Sequence, residues 1–285
     1  MTTSPEPMPL RLILLGAIAA AVAHAPGARR APDAPPPPLP GRVVDLVAGD
    51  FYFRSPDTIP AGLTTFRLRS ENGGHAAWIL RIPPGHDVRE LVAPAHAGKP
   101  PAWARNLGGP GFPPEGATVN ATMVLEPGEY AVLCYVAGRS SKGKPHHQLG
   151  MYRRLVVAPV PRTPGALPKA DVVVTMVDHA YRVSAPIRPG RRVLRVVNAG
   201  TALHEFKLLR VKPGHTAQES LTWKPESGTP PPDDEVTTIA TLSPGGEATT
   251  TVDFTAGEYT IFCVPQEKHA MRHALRVAAA PARGR

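Results

Sequence analysis

The feature that most constrains the fold of this chain is an internal duplication. His75 precedes Cys134 in the first copy, and His204 precedes Cys263 in the second copy by the same interval along the chain. Unrelated segments would not keep an equal interval by chance, so we interpret the 285-residue chain as one structural unit written twice. The flanking motifs that recur are Asp50-Phe51-Tyr52-Phe53 with Asp178-His179-Ala180-Tyr181, and Gly128-Glu129-Tyr130 with Gly257-Glu258-Tyr259.

Both copies predict short strands joined by turns. The chain has 36 Pro, 26 Gly and only 6% aromatic residues, a composition that disfavours long helices. Predicted strands recur at equivalent positions, and two of them, Thr64–Leu68 and Arg192–Val197, alternate polar and apolar residues as half-buried strands do. The predicted strands are Val43–Val47, Thr64–Leu68, Trp78–Ile82, Thr118–Leu125 and Leu155–Val157 in the first copy, and Val172–Val177, Arg192–Val197, Phe206–Val211, Ala248–Phe254 and Leu275–Val277 in the second. We therefore predict an all-β fold with one Greek-key β-sandwich per copy.

Two interruptions of the strand pattern also recur. Asp87-x-x-Glu90 and Thr216-x-x-Glu219 are capping-box patterns, so each sandwich is expected to carry one short helix. A segment rich in Pro and Gly follows each helix, at residues 99–116 and 224–235, and is interpreted as an excursion from the strand pattern.

The N-terminus predicts export. Twelve apolar residues from Leu12 to Ala23 are too few to span a bilayer but suit the core of a signal peptide, and Ala23-His24-Ala25 has the form of a cleavage site. We expect a periplasmic or otherwise extracytoplasmic protein, with membrane association through the N-terminus as the alternative. The predicted organisation is a signal peptide or N-terminal anchor at 1–25, a Pro-rich linker at 26–41, domain 1 at 42–160, a linker at 161–169, domain 2 at 170–279 and a tail at 280–285.

The segment from Gly128 to Met151 indicates a chemical role for domain 1. A predicted strand ends at Cys134, and after a polar loop His146 and Met151 return five residues apart. His75, which follows the turn-like Asn72-Gly73-Gly74, supplies a second imidazole. One thiolate, two imidazoles and one thioether are the ligands of a blue-copper electron-transfer site, because soft sulfur holds Cu(I) while imidazole accommodates Cu(II).

This segment resembles the C-terminal ligand loop of the cupredoxins, whose pattern is Tyr-x-x-x-Cys, then Pro-His, then Gly-Met. The matching residues here are Tyr130, Cys134, Pro145-His146 and Gly150-Met151. The likeness is greatest to bacterial cupredoxin-like proteins with a lengthened Cys-to-His loop, and twelve residues separate these two ligands here. The resemblance implies two tandem cupredoxin-like Greek-key β-sandwich domains with one short helix each.

The resemblance also implies a ligand set and a function for domain 1. His75 and His146 would be the nitrogen ligands, Cys134 the thiolate and Met151 the weak axial ligand of one mononuclear type 1 copper. One-electron transfer between redox partner proteins is the implied function. We expect the long loop to shield His146, held in place by Pro145 and by an apolar contact of Leu149. His147 is expected to lie at the rim of the site or in its outer shell.

The second copy departs from this pattern at one ligand. His204 and Cys263 are kept, and Met271 takes the axial position when residues are counted back from the closing strand. Gln266 stands where the second histidine is expected, and only a rearranged loop would let His269 or His273 replace it. The weaker ligand set is therefore His204, Cys263, His269 and Met271, and we expect at most one tightly bound copper per chain, in domain 1.

Two other functions remain open from the residues alone. The polar insert at residues 139–144 is equally compatible with a site that has lost its metal. Two interpretations therefore stay open, a copper protein or a metal-free β-sandwich interaction module. If copper binds, a copper carrier or sequestering protein is the alternative to an electron shuttle. A disulfide between Cys134 and Cys263 is disfavoured, because the two cysteines occupy equivalent positions in separate repeats.

Composition and motif content narrow the class of protein further. The chain has no His-x-His pair, which multicopper oxidases and copper nitrite reductases need for a second copper centre, so the sequence predicts that it is not an enzyme. The formal net charge of +9 fits solvated surface charge, or attraction to an acidic redox partner or an anionic membrane. The sequence does not interleave aromatic with basic residues, so it does not indicate nucleic-acid binding.

Overall fold

The fold is described from a computed structural model that covers residues 38–96, 99–138, 140–161, 165–224, 227–264 and 271–279. The predicted signal segment, most of the Pro-rich linker and the C-terminal tail lie outside these residues, as does His269. In the part of the chain that is described, no helix is both long and apolar enough to cross a membrane.

Short strands dominate domain 1, as the alternating pattern predicts. They are β1 (Arg42–Gly49), β2 (Tyr52–Arg54), β3 (Thr58–Pro60), β4 (Gly62–Ser70), β5 (Trp78–Ile82), β6 (Arg105–Asn106), β7 (Pro110–Gly111), β8 (Val119–Leu125), β9 (Gly128–Leu133) and β10 (Tyr152–Ala158), with helix α1 (Val88–Leu91) between β5 and β6. Short 3-10 turns lie at Pro94–His96 and His146–Leu149.

Domain 2 repeats most of these elements in the same order. Its strands are β11 (Val172–Val177), β12 (Ala180–Val183), β13 (Gly190–Asn198), β14 (His204–Val211), β15 (Asp233–Leu242), β16 (Glu247–Phe254), β17 (Gly257–Phe262) and β18 (Arg272–Val277), with helix α2 (Ala217–Thr222) between β14 and β15. Every strand predicted in the two copies is present. The long strand β15 was not predicted, because its Thr-rich sequence does not alternate clearly.

The two short helices begin at the predicted capping boxes. In α1 the Glu90 carboxylate accepts a hydrogen bond from the backbone N–H of Asp87 at 2.8 Å. In α2 the Glu219 carboxylate accepts one from the backbone N–H of Thr216 at 2.7 Å. Each cap satisfies N–H groups that would otherwise lack partners at the helix start, so a helix this short can form.

Each domain is a sandwich of two sheets with the same connectivity. In domain 1, β1 pairs antiparallel with β2 and parallel with β4, and in domain 2, β11 pairs antiparallel with β12 and parallel with β13. The facing sheets contain β9 between β5 and β10, and β17 between β14 and β18. Apolar side chains of both sheets pack between them, among them Phe66, Ile79 and Leu133 in domain 1 and Leu194, Phe206 and Ile261 in domain 2.

The outer sheets of the two domains form one continuous sheet of eight strands, in the order β12-β11-β13-β16-β8-β4-β1-β2. At the junction, Thr122 of β8 lies opposite Thr249 of β16. The side-chain amide of Asn120 completes the pairing, because it donates to the carbonyl of Thr251 at 2.9 Å and accepts from its N–H at 2.8 Å. Edge strands that would otherwise be open are therefore covered by the neighbouring domain.

The excursion at residues 99–116 contains two short strands and forms the second connection between the domains. Its strand β7 pairs with β15 of domain 2, and the carbonyl of Gly109 accepts a hydrogen bond from Ala240 at 2.8 Å. Gly109 has φ 142°, and a Cβ there would lie 1.9 Å from the carbonyl oxygen of Ala77, so only glycine fits. The indole N–H of Trp78 also crosses the boundary, to the hydroxyl of Thr241 at 3.0 Å.

The junction predicts a measurable role for Asn120. Asn120→Ala removes both hydrogen bonds to Thr251 and should lower the free energy of unfolding by about 1–3 kcal/mol, measured by chemical denaturation. Asn120→Asp keeps the acceptor for the Thr251 N–H but sets a carboxylate oxygen against the Thr251 carbonyl, so its loss should be at least as large. If Asn120→Ala unfolds at the same denaturant concentration as the unmodified chain, the two sheets do not depend on this contact.

Candidate metal centre

The pairing of β5 with β9 places two of the predicted ligands at one end of the sandwich. Trp78, the first residue of β5, lies opposite Leu133, the last residue of β9, and the two strands are antiparallel. His75 shortly precedes β5 and Cys134 directly follows β9. Both side chains therefore lie at the same sheet end although they are far apart in sequence.

The long loop after Cys134 returns to this end through backbone hydrogen bonds. The N–H of His146 donates to the carbonyl of Val136 at 2.8 Å, and that of His147 donates to the carbonyl of Cys134 at 2.9 Å. The inserted residues close on themselves, since the N–H of Gly143 donates to the carbonyl of Gly138 at 2.9 Å. The lengthened loop therefore folds aside and leaves the ligand end of the domain in place.

A 3-10 turn brings Met151 to the same position. The turn His146–Leu149 ends at Gly150, which has the left-handed φ of 105° that glycine adopts without strain. The N–H of Met151 then donates to the carbonyl of His146 at 3.0 Å, and the carbonyl of Met151 accepts from Cys134 at 3.2 Å. Met151 is fully buried and fixed by its backbone to two of the other predicted ligands.

The donor atoms of His75, Cys134 and His146 converge within 4.8 Å of one another. The Nδ1 atoms of the two histidines are 3.2 Å apart, and Sγ of Cys134 lies 3.6 Å from Nδ1 of His146. Both imidazoles are only 3% exposed and the thiol is fully buried. These separations let the three atoms share one metal ion, and two nitrogens, a thiolate and a thioether form a donor set that fits copper.

Burial sets the protonation of these groups. Loss of solvent lowers the pKa of His75 and of His146 below their usual value, so both rings are neutral at pH 7. The same burial raises the pKa of the Cys134 thiol to about 11, and the N–H groups of Ala76 and Val136 only partly oppose the shift. Within the described residues, the Nε2 atoms of His75 and His146 have no hydrogen-bond partner.

The shielding of His146 comes from a residue that the sequence analysis missed. Leu149, predicted to pin the loop by an apolar contact, is 37% exposed, so that part of the prediction is wrong. The edge of the Phe51 ring lies against His146 instead, with 5.0 Å between ring centroids. Phe51 has φ 61°, a left-handed conformation that is uncommon for a bulky residue. The repeated motif that begins at Asp50 marked this turn, but the sequence did not predict the contact between Phe51 and His146.

His147 lies inside the domain, so its expected position at the rim is wrong. It is 1% exposed, its Nδ1 atom is 3.2 Å from the carbonyl oxygen of Cys134, and its ring packs edge-on against Tyr135. This geometry matches the other predicted position of His147, in the outer shell of the site.

The similarity of this chain to known proteins is low. No protein-family model and no curated protein matches the chain. Among solved structures, auracyanin from Roseiflexus castenholzii is 18% identical over 38% of this chain and 95% of its own, with a TM-score of 0.29. A blue copper oxidase from Nitrosomonas europaea (13%, 84% and 86%, TM-score 0.23) and a copper-containing nitrite reductase from Thermus scotoductus (12%, 85% and 62%, TM-score 0.22) match over both domains.

The chain has a tandem cupredoxin-like fold. The two matches that span both domains are enzymes, which contradicts the prediction that this chain is not one, and we do not keep that prediction. Because their TM-scores are below 0.3, these matches assign no activity to this chain.

The second cupredoxin-like domain repeats part of the arrangement. β14 and β17 are antiparallel, so His204 at the start of β14 and Cys263 after the end of β17 meet at one sheet end. The Sγ atom of Cys263 is 3.7 Å from Nδ1 of His204. The backbone N–H of Cys263 donates to the carbonyl of Met271 at 3.2 Å, as in domain 1, and Met271 is buried. His273 lies within β18, opposite Ile261.

Domain 2 also contains a carboxylate that sequence reasoning did not single out. Asp178 lies 2.8 Å from Nε2 of His204 and accepts hydrogen bonds from the N–H and the hydroxyl of Thr201. The hydrogen bonds from Thr201, and next the one from His204, hold the pKa of Asp178 well below its usual value. The carboxylate is therefore ionised at neutral pH. Asp178 belongs to the repeated motif that opens each copy, so the sequence marked its position without revealing its partner.

The pKa of Cys134 predicts how copper affinity depends on pH. Copper binds the thiolate, and a pKa of about 11 means that the buried thiol must lose its proton when the ion enters. Uptake should therefore release about one proton at pH 7, and apparent affinity should rise about tenfold per pH unit between pH 7 and pH 9. Calorimetry in buffers of different ionisation enthalpy measures the proton release. Affinity that does not change over this range would mean that the thiol is already ionised.

Proposed function

We propose that domain 1 holds one type 1 copper ion and that this ion transfers single electrons to and from redox partner proteins outside the cytoplasm. The observation that carries the proposal is the convergence of His75, Cys134 and His146 in a buried cluster. A β-sandwich in which two strand ends and a returning loop deliver a thiol and two imidazoles to one point suits a copper ligand set better than a packing role.

The ligands would act in distinct ways. Nδ1 of His75 and of His146 and Sγ of Cys134 would hold the ion, and Met151 would supply a weak axial sulfur. Bound copper would supply an oxidation state that alternates between Cu(II) and Cu(I). The chain itself contributes rigidity, because strand ends and backbone hydrogen bonds restrain the ligands in the same arrangement for both states.

Burial favours electron transfer over a carrier role. A carrier must release its ion, so its ligands need exposure and freedom to move. Here both imidazoles are 3% exposed, Phe51 packs against His146, and the returning loop is tied to Val136 and Cys134 by its backbone. The predicted signal segment supports export, and with it a partner outside the cytoplasm.

Copper loading of the full chain tests the centre. The loaded protein should show the strong absorption of thiolate-to-copper charge transfer and a narrow hyperfine splitting in electron paramagnetic resonance. Cys134→Ser should abolish both signals, because it removes the thiolate. Cys263→Ser, the matched change in domain 2, should leave both intact. A colourless protein after copper addition, with its thiols still reduced, would replace this proposal with the metal-free interaction module.

Resistance to a chelator distinguishes an electron-transfer protein from a copper carrier. Oxidised and reduced protein should both keep copper against a moderate chelator, because His146 is covered in the folded chain. Phe51→Asn removes the covering ring, while asparagine tolerates the left-handed backbone at that position, so this variant should stay blue and lose copper faster. If the unmodified reduced protein gives up its copper within minutes, with Cys134 unoxidised, the carrier function is correct.

A further inference from the structure

We infer that domain 2 holds His75 of domain 1 in position, through Lys207 and Phe112. The inference rests on the proposed function only for the role of His75 as a ligand, because the contacts that carry it are contacts between the two domains. It makes Lys207 and Phe112 positioning residues and gives domain 2 a task in the centre of domain 1.

The backbone at His75 is tied to strand β7, and β7 is paired with domain 2. The carbonyl of His75 accepts a hydrogen bond from the N–H of Phe112, directly after β7, at 2.8 Å. The N–H of Ala77 donates to the carbonyl of Pro110, the first residue of β7, at 2.9 Å. On its other side β7 pairs with β15 of domain 2. The sheet of domain 2 therefore continues by hydrogen bonds to the segment that carries His75.

Gly111 shows how closely the two domains meet beside this histidine. It lies opposite Thr238 of β15 and forms a bridge with Ala76, the residue after His75. A Cβ on Gly111 would lie 2.9 Å from Cβ of Ala76 and 3.2 Å from Cβ of Thr238. The contact leaves no free space between the two backbones, so a displacement of β15 would also displace the backbone next to His75.

The other predicted ligands of domain 1 are held by hydrogen bonds within that domain. The N–H of Cys134 donates to the carbonyl of Met151 at 3.2 Å, and the N–H of His146 donates to the carbonyl of Val136 at 2.8 Å. His75 lies before β5, and its Nε2 atom has no hydrogen-bond partner among the described residues. The position of His75 therefore depends on its backbone contacts with β7 and Phe112, and through them on domain 2.

Phe112 is the residue through which a side chain of domain 2 acts on this contact. Its φ of 51° is uncommon for a bulky residue and persists only where the surroundings hold it. The ammonium group of Lys207 lies 4.6 Å from the centroid of its ring, a cation–π contact. Lys207 is itself fixed by Glu235 at 2.8 Å, which accepts a hydrogen bond from the hydroxyl of Thr238 at 2.6 Å. Loss of Lys207 would let Phe112 leave the conformation that directs its N–H to His75.

Hydrogen exchange of the copper-free full chain tests the inference, because the amide of Phe112 reports its bond to His75. Lys207→Met removes the cation and keeps an unbranched side chain beside the ring, so the Phe112 amide should exchange about 2–5-fold faster. Lys207→Arg should restore the slow exchange, since a guanidinium also binds aromatic faces. The amide of His146, bonded within domain 1, should keep its exchange rate in both variants.

Copper loading supplies a second readout. Lys207→Met should still become blue, because all four ligands are present, but its hyperfine splitting in electron paramagnetic resonance should change, because His75 is less restrained. Lys207→Arg should show the splitting of the unmodified chain. Arg272→Met is the matched control, since it removes a cation that lies 5.1 Å from the ring centroid of Phe262 within domain 2. It should change neither readout.

Three results would overturn the inference. They are an unchanged Phe112 exchange rate in Lys207→Met, an equal acceleration at His146, which would indicate a general loss of stability, and faster Phe112 exchange with an unchanged splitting in the blue protein. Failure of the proposed function looks different. In that case the unmodified chain stays colourless with copper, and the exchange rates alone decide whether domain 2 holds His75.

Discussion

The antiparallel pairing of β5 with β9, repeated as β14 with β17, is the constraint on which the candidate sites depend. Antiparallel strands place the start of one element beside the end of the other. A histidine before or at the start of the first strand and a cysteine after the second are thereby brought together across a long interval of sequence. The closing strands β10 and β18 then bring Met151 and Met271 back to the same end through one backbone hydrogen bond each.

On this common scaffold the two copies differ in what surrounds the shared histidine and cysteine. Domain 1 adds a second imidazole from the turn that begins at His146 and covers it with Phe51. Domain 2 instead anchors the imidazole of His204 on Asp178. The two copies therefore share one strand arrangement and differ in the groups that hold the histidine.

The two domains are joined by strand pairing as well as by the linker. β8 continues into β16, and β7 of domain 1 extends the sheet of β15. Cutting the chain between the domains would expose these strand edges, which are prone to pair with other chains. For this reason the properties of each site belong to the full chain, and variants of single ligands separate the sites more safely than isolated domains.

Much of this protein was determined by its sequence alone. The duplication, the all-β class and both capping boxes follow from spacing and strand patterns, which express local backbone preferences. The grouping of His75, Cys134 and His146 was predicted from their ligand chemistry and from the resemblance to the cupredoxin ligand loop. Only the tertiary structure decided what lies between elements distant in sequence. The ring of Phe51 on His146, the burial of His147, the hydrogen bond from His204 to Asp178 and the pairing of β7 with β15 all depend on how completed sheets pack. No local pattern records those contacts, since each joins residues whose neighbours in sequence serve other parts of the fold.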